Sequence, residues 1–339
     1  MLRVGIDVSP LALTRAGTAR HIRSLLAALD GEDVELRRYS FGGSARALVP
    51  VRDLGWYLGE LPRRAARDGV QVLHCPTHRA PVSSKVPLVV TFHDLAVLRH
   101  PETFNAWTRI YSRLVLPKVA KAARRLIAVS EFTKRELVEL LDVPGEKVRV
   151  IPNAVGPPFV AEGEAAAGEY VLAVGTLEPR KNLPRLVEGF RRAGLNGCRL
   201  LVAGMRGWGG VDASGDGIRW LGSVADDELA RLYRGARCVA YVSIYEGFGL
   251  PVLEAMACGA PVVAGRNEAA QEVAGNAAVV VDPLDPDAIA AGLAEALDRR
   301  EELRALGLER ARAFDWASVG KATVEVYREA ASVTDSHMT

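Results

Sequence analysis

Two glutamates flank a short glycine-containing stretch in the second half of the chain, Glu246-Gly-Phe-Gly-Leu-Pro-Val-Leu-Glu254. Pro251 suits the first turn of a helix, where a missing backbone N–H costs nothing. Glycines let a loop approach a ligand, and the N–H groups at a helix start attract an anion such as a diphosphate. Each carboxylate can accept two hydrogen bonds from a diol, which predicts a sugar on each side of that diphosphate. Alternatively, Glu254 only favours the helix dipole and Glu246 is merely exposed.

Two adjacent cations, Arg180 and Lys181, follow the apolar run 170–175 and open the next predicted helix. Positive charge at this end of a helix opposes the helix dipole, so an anion is expected to lie over both side chains. A diphosphate fits, because Arg binds phosphate in a bidentate way and Lys acts as a point charge. The alternative is a surface pair bridged to Glu178.

The elements that must position these motifs alternate between short apolar runs and amphipathic stretches. This alternation is typical of the α/β class with doubly wound parallel sheets. In the first half it predicts helices over 17–30, 104–123 and 131–141. The strands predicted there are Leu2–Val8, Val34–Tyr39, Val70–Cys75, Leu88–Phe92, Arg125–Val129 and Val148–Ile151.

The alternation stops over residues 154–169, which have the Pro, Gly, Ala and Glu content of a linker, and then restarts. Two domains are therefore predicted, over 1–155 and 168–315, with a helix near 316–331 that packs back on the first. The strands predicted in the second domain are Tyr170–Gly175, Arg199–Ala203, Ile218–Leu221, Cys238–Val242, Val262–Ala264 and Ala277–Val281. Its predicted helices are 183–193, 226–234, 251–258, 286–298 and 301–313.

Composition indicates an ordinary soluble protein of two domains. The 339 residues are 49% hydrophobic and 25% charged, and apolar runs of eighteen residues are absent from the sequence. The N-terminus predicts a buried strand rather than a signal peptide, because Asp7 interrupts its apolar run. Reduced core thiols in a cytosolic protein are expected from four widely spaced cysteines, Cys75, Cys198, Cys238 and Cys258.

Glu246–Glu254, taken with VGTLEPRKN at 174–182, resembles the large retaining glycosyltransferase family 4, of GT-B fold. Further matching pieces occur in order along the chain. They are the loop before 17–30, Phe92-His93-Asp94, residues 129–133, residues 150–153 and the run 272–283. The resemblance implies two Rossmann-like domains that face each other across a cleft. The N-terminal domain would bind the acceptor and the C-terminal domain the nucleotide sugar.

The resemblance also implies a role for each matching residue. Arg180 and Lys181 would neutralise the departing nucleoside diphosphate, Glu254 would hold the ribose hydroxyls, and Glu246 would hold the donor hexose. His93 would lie beside that sugar in a positioning role. Further donor contacts are expected from Gly17, Leu221, Val224, Gly247, Phe248, Gly249 and Leu250.

The chain departs from the family pattern at three places. Gly175-Thr176 stands where many relatives carry Gly-Arg, so Arg180 must supply the guanidinium group. One glycine, Gly17, stands in the first loop, where two or three are common. Gln271 replaces a proline that often precedes the glutamate.

The expected chemistry needs neither a metal nor another cofactor. The resemblance implies retention of the anomeric configuration by front-face attack, with positive charge stabilising the leaving diphosphate. Arg180, Lys181 and the helix start would supply that charge. The Asp-x-Asp string Asp285-Pro286-Asp287 is interpreted as a helix N-cap rather than a metal ligand.

The donor and several rival functions stay open at the level of sequence. The GTLEPRKN variant resembles the mannosyltransferase branch, which favours GDP-mannose, with a UDP-sugar such as UDP-glucose as the alternative. A UDP-sugar 2-epimerase and a nucleotide-sugar binder without turnover are the remaining alternatives. A nicotinamide-dependent oxidoreductase is excluded, because Val8 is followed by Ser9-Pro10 and not by Gly-x-Gly-x-x-Gly.

Charge is distributed unevenly between the two halves. Residues 1–155 hold 24 Lys and Arg against 15 Asp and Glu, whereas the remainder is acidic. This predicts an anionic partner for the first half, such as a membrane surface or a lipid-linked phosphate, with a solvated basic face as the alternative. The basic stretch 109–125 fits a saccharide or lipid-linked acceptor on the inner face of a membrane; nucleic acid is not expected as a partner.

Overall fold

The computed structural model describes residues 1–12, 17–42, 48–207 and 215–332. The chain forms two compact units: the first is Met1–Asn153 with the chain from Trp316 onward, and the second is Ala154–Asp315. Each unit contains a six-stranded parallel sheet with surrounding helices, which confirms the α/β prediction. Among the helices of the described residues, none combines the length and apolar character that crossing a bilayer requires.

The first unit has strand order β2-β1-β3-β4-β5-β6. Its strands are β1 Leu2–Asp7, β2 Val34–Tyr39, β3 Val72–Cys75, β4 Leu88–Phe92, β5 Arg125–Ala128 and β6 Val148–Val150. Its helices are α1 Gly17–Leu29, α2 Leu61–Arg67, α3 Ala96–Arg99, α4 Ala106–Ala122, α5 Glu131–Leu141 and α12 Trp316–Ser332. All five residues of β4 are buried, as expected when helices cover both faces of a parallel sheet.

A helix of π geometry, Val51–Glu60, leads directly into α2 and was not among the predicted elements. Its inner face buries Trp56 and Tyr57, which join the core that contains Leu73, Val90 and Phe92. Gly55 and Gly59 weaken the helical pattern of this stretch, which explains why the sequence did not reveal it.

Helix α12 belongs to the first unit and is fixed there by polar contacts near its C-terminal end. Tyr327 Oη lies 2.7 Å from His74 Nδ1, and Glu329 pairs with both Arg125 and Arg149. Helix α4 ends at Ala122 and Arg125 lies in β5, close to the predicted boundaries. The basic stretch 109–125 is therefore helical only as far as residue 122.

Replacing Tyr327 by phenylalanine is expected to lower the free energy of unfolding by about 1–3 kcal/mol. His74 is 1% exposed, and its other ring nitrogen already contacts Thr91 Oγ1 at 2.9 Å, so the variant leaves a buried polar nitrogen without its partner. Urea denaturation measures the loss. Tyr39→Phe is the matched control, because Asp68 keeps its ion pair with Arg37. Equal losses in the two variants would contradict the prediction.

The second unit has strand order β12-β11-β10-β7-β8-β9. Its strands are β7 Tyr170–Val174, β8 Arg199–Ala203, β9 Ile218–Gly222, β10 Cys238–Tyr241, β11 Val262–Gly265 and β12 Val279–Val281. Its helices are α6 Leu183–Arg192, α7 Asp226–Gly235, α8 Leu250–Ala257, α9 Glu268–Ala274, α10 Pro286–Asp298 and α11 Arg300–Ala311. The strand order reverses between β7 and β10, and ligands of open α/β sheets bind at the carboxyl ends of strands beside such a reversal.

The stretch 154–169, predicted as a linker, is held against helix α7. The guanidinium of Arg234 donates to the carbonyl oxygens of Pro158, Val160 and Glu164. The compact unit accordingly begins at Ala154. Predicted strand boundaries elsewhere lie within two residues of the observed ones, whereas the short helix α9 was not predicted.

Candidate active site

The two motifs singled out in the sequence follow the neighbouring strands β7 and β10. Strand β7 leads to the 3-10 turn Pro179–Lys181, and β10 leads to the loop 242–249. A backbone hydrogen bond of 2.9 Å from Ile244 N to Arg180 O joins the two segments. The motifs therefore meet at the point where the strand order of the second unit reverses.

Asn182 fixes the cationic turn in place. It is 2% exposed, and its side-chain amide donates to the carbonyl oxygens of Val242 and Pro283. Its backbone has φ of 59°, a left-handed conformation that asparagine tolerates better than most residues. This one side chain ties the start of α6 to the ends of two other segments of the sheet.

Glu246 binds both neighbouring cations through its two carboxylate oxygens. Lys181 Nζ lies 2.6 Å from Oε1, and Arg180 Nη1 lies 3.1 Å from Oε2. The side chain of Glu246 is only 9% exposed, so this ion pair is largely shielded from water. Burial by itself would raise the pKa of Glu246, but the charges of Lys181 and Arg180 outweigh it and lower the pKa to about 2.

Arg180 also pairs with Glu178, whose Oε1 lies 2.7 Å from Nη2. Two glutamates of the chain itself thus balance the two cations, over which a bound anion such as a diphosphate was expected to lie. The alternative interpretation, a bridge to Glu178, describes one contact correctly, although Glu178 is 3% exposed and not a surface residue. Glu246 is likewise buried, so its interpretation as merely exposed is wrong.

Lys181 keeps a hydrogen-bonding donor for a ligand. Its ammonium group has three N–H bonds, and the described residues take two of them, at Glu246 and at the Tyr241 hydroxyl 3.1 Å away. A cavity of about 20 Å³ lies beside it, lined in part by Gly175, Thr176 and Ser243. This volume holds about one water molecule and is too small for a hexose.

Helix α8 begins immediately after the glycine-containing loop. Gly249 has φ of 111°, a backbone conformation that side chains with a Cβ atom rarely adopt, so the position favours glycine. Gly247, Phe248 and Gly249 are buried, whereas Leu250 is partly exposed. Phe248 packs edge-on against Phe314, with ring centroids 6.0 Å apart.

Glu254 lies on the fifth residue of α8 and is 3% exposed. Its Oε2 accepts a hydrogen bond of 3.0 Å from the hydroxyl of Tyr233 on α7. The alternative that Glu254 serves the dipole of the first helical turn is wrong, because the first turn of α8 carries no acidic residue. Its assignment to the ribose stays a prediction.

The predicted base contacts lie at another strand end of the same sheet. Leu221 is in β9, and Val224 is in the loop that follows it. Trp220 donates from its indole nitrogen to Gly204 O at 2.8 Å, and the Arg206 guanidinium lies 4.8 Å from the indole ring. Leu177 N donates to Met205 O at 3.0 Å, which brings the loop after β8 against the cationic turn.

His93 and Gly17 belong to the first unit. His93 Nε2 lies 3.0 Å from the carbonyl oxygen of Pro76, and its ring meets that of His21 edge-on at 4.7 Å. Burial lowers the pKa of His93 despite the opposing effects of Pro76 and Asp94, so the imidazole is neutral at pH 7. Gly17 opens α1, whereas residues 13–16 of its loop lie outside the described residues.

The Asp-x-Asp string adopts the predicted cap. The side chain of Asp285 accepts a hydrogen bond of 2.9 Å from Asp287 N at the start of α10, and Asp287 pairs with Arg192. The interpretation of Asp285 as an N-cap is confirmed. Within the described residues, groups of three or more His, Cys, Asp or Glu side chains arranged to hold a metal are absent.

Sequence reasoning missed three residues that shape the site, namely Asn182, Tyr233 and Tyr241, and named Glu178 only in an alternative interpretation. Glu178 and Asn182 flank the cations within the same motif, so their position was a usable signal. The tyrosines come from α7 and β10, and their side-chain directions were needed to place them.

Comparisons with known proteins agree with this architecture. Residues 5–157 match the family model Glycosyltransferase Family 4, and residues 159–313 match Glycosyl transferases group 1. O-antigen chain mannosyltransferase B of Escherichia coli is 33% identical over 71% of this chain and 70% of its own length.

O-antigen chain mannosyltransferase RfbU of Salmonella typhimurium is 30% identical over 69% of this chain and 68% of its own length. Sucrose-phosphate synthase of Thermosynechococcus elongatus superposes with a TM-score of 0.78 at 19% identity, over 97% of this chain and 99% of that one. These matches make the chain a glycosyltransferase. It belongs to glycosyltransferase family 4, of GT-B fold.

Proposed function

We propose that this enzyme transfers a hexose, with mannose favoured, from a nucleotide diphosphate sugar to a saccharide or lipid-linked acceptor, with retention and without a metal. One observation carries the proposal. Arg180, Lys181 and Glu246 converge at the strand reversal of the second unit, next to the glycine-containing start of α8. The names of the two mannosyltransferase relatives favour mannose as the transferred sugar.

In the proposed reaction the acceptor oxygen bonds to the anomeric carbon as the bond from that carbon to the diphosphate breaks. The acceptor proton passes to a diphosphate oxygen, and the nucleoside diphosphate departs. Negative charge grows on the diphosphate, so positive groups already held in place lower the barrier. Lys181 offers one N–H to a phosphate oxygen, and Arg180 adds its guanidinium charge. His93, being neutral, would position the sugar rather than carry charge.

Glu246 suits the binding of sugar hydroxyls better than proton transfer. A carboxylate with a pKa of about 2 is a weak base at neutral pH, whereas an efficient general base has a pKa near the working pH. It can still accept hydrogen bonds from a diol while its partners hold it in place. Glu254, deeper in α8, would take the ribose in the same way.

Metal independence rests on the positive groups of the site. Arg180, Lys181 and the N–H groups at the start of α8 can donate hydrogen bonds to the oxygens of a diphosphate, the role that a divalent cation would otherwise fill. Because Glu178 and Glu246 already balance the two cations, the site offers directed donors rather than net positive charge. The balancing glutamates Glu178 and Glu246 hold both cations in position before the donor arrives.

The basic first unit supports a lipid-linked acceptor and peripheral attachment to an anionic membrane surface. Helix α4 exposes Arg109, Arg113, Lys118 and Lys121. Each such cation near an anionic leaflet contributes about 1 kcal/mol of attraction, which salt weakens. The membrane-proximal site of action would be the cytoplasmic face.

Thermal unfolding with GDP, UDP, ADP and dTDP, each measured with and without EDTA, tests the donor assignment. GDP at a hundred times its dissociation constant is expected to stabilise the protein by about 2.7 kcal/mol. A larger shift with UDP would replace GDP-mannose by a UDP-sugar such as UDP-glucose. Shifts that disappear in EDTA would contradict metal independence.

Product analysis separates the rival activities. Released sugar epimerised at C2 would identify a UDP-sugar 2-epimerase, and tight donor binding without transfer or donor hydrolysis would identify a binder. Transfer of mannose to a saccharide acceptor, with GDP released in equal amount, supports the proposal.

A further inference from the structure

Exposed large apolar side chains of the described residues are concentrated in one part of the first unit. Seven of the eleven lie between residues 48 and 58 or between residues 107 and 114. They are Leu48, Val51, Leu54, Leu58, Trp107, Ile110 and Leu114. Scattered exposed hydrophobic residues are normal, but such a concentration marks an interaction surface.

Helix α4 supplies three of them at helical spacing. Trp107, Ile110 and Leu114 recur at intervals of three and four residues, so they form one stripe, and Ile110 and Leu114 are 59% and 60% exposed. All charged residues of α4 are basic: Arg109, Arg113, Lys118 and Lys121. The helix therefore presents an apolar stripe among cations.

The Val51–Glu60 helix lies against α4 and adds a second stripe, Val51, Leu54 and Leu58. The indole nitrogen of Trp107 donates to Asp53 Oδ2 at 3.1 Å. Asp53 is fully buried and also pairs with Arg52 and Arg79. This network fixes the two helices to each other, and both apolar stripes stay outside the core that the same helices help to form.

We propose that the two-helix face, defined as these two stripes and the α4 cations, docks into the interface of an anionic lipid bilayer. The charge of α4 indicates which partner binds this face. All charged residues of α4 are basic, which suits a uniformly anionic lipid surface better than a protein surface that carries both signs of charge. Apolar side chains flanked by Lys and Arg are the composition that lies in the headgroup region of a membrane. The inference deepens the proposed membrane-side acceptor by adding an apolar anchor that salt does not weaken.

Vesicle flotation of the full chain, without donor or acceptor, tests the docking. Vesicles of phosphatidylcholine with about 30% phosphatidylglycerol are compared with pure phosphatidylcholine at low and high salt. Wild type is expected to float with the anionic vesicles and to keep part of its binding at high salt. Ile110→Ser with Leu114→Ser is expected to lower the partition coefficient about tenfold or more.

Matched variants separate insertion from charge and from misfolding. Leu284→Ser removes an equally exposed leucine, 55% exposed, from the second unit and is expected to float like wild type. Arg109→Gln with Arg113→Gln is expected to lower binding at low salt and to keep the salt-resistant part. Thermal unfolding checks that each variant is folded.

Three results would overturn the docking proposal. In the first, the wild-type protein floats with neither kind of vesicle. In the second, the serine double variant floats as well as the wild type. In the third, the wild type is a dimer, the serine double variant is a monomer, and neither protein floats. None of these measurements involves sugar transfer, so their failure is distinguishable from failure of the transferase proposal.

Discussion

Lys181→Met is expected to lower kcat/KM by about 10²–10³-fold, the usual cost of removing one group that stabilises developing negative charge. Methionine keeps the length of the side chain and removes its charge. The leaving diphosphate then loses the Nζ donor, and of its two cationic partners Glu246 keeps Arg180. The effect should appear mainly in kcat, because the lost interaction strengthens as charge develops on the leaving group.

Arg192→Met is the matched control for this prediction. Arg192 also lies at an end of α6, but it is 42% exposed and pairs with Glu188 and Asp287 away from the cationic turn. Lys181→Arg keeps the charge and is expected to recover part of the lost rate. Released nucleoside diphosphate measures turnover, and thermal unfolding measures stability separately. A loss no larger than that of Arg192→Met would refute the assignment of Lys181.

The buried ion pair makes stability a separate question from catalysis. Breaking one contact of a buried carboxylate is costly, because the remaining charge stays out of water. The depressed pKa of Glu246 contributes stability above its unfolded value near 4.5, and that contribution is lost as pH falls towards 2. Kinetics near pH 7 therefore compare variants in which Glu246 is ionised.

Strand positions were predictable from the sequence for a simple physical reason. Strands of a covered parallel sheet, such as β4, are buried on both faces and appear as short β-branched runs between polar segments. Helix α8 was predictable because Pro251 and Gly249 mark its start. The Val51–Glu60 helix was missed, since two glycines interrupt a pattern that tertiary packing of Trp56 and Tyr57 stabilises.

The sequence was sufficient to predict which residues form the site, but not which of them pair with each other. Arg180, Lys181 and Glu246 stand out by residue type and by their place after apolar runs. Which carboxylate meets which cation depends on the turn at Asn182 and on the register of β7 with β10, and neither can be calculated from spacing. For the same reason the pairing of Glu178 with Arg180 could be given only as an alternative.

Gly204→Ala is the stability prediction with the largest expected effect, a loss of about 3 kcal/mol. Gly204 has φ of 156°, and an added Cβ would overlap the carbonyl oxygen of Gly175 and lie 2.5 Å from its carbonyl carbon. The obstacle is backbone, so no side chain can swing away. The segment that must move is the one that leads from β7 to Arg180 and Lys181.

Gly197→Ala separates the clash from backbone strain. Gly197 also has a positive φ, 74°, but among the described residues nothing lies within 4 Å of an added Cβ. It is expected to cost about 1 kcal/mol, from the left-handed conformation alone. Urea denaturation gives both values, and donor binding should weaken in Gly204→Ala but not in Gly197→Ala. Equal stability of the two variants would mean that Gly175 and Gly204 do not approach as closely as described, and that the cationic turn is not supported from the β8 side.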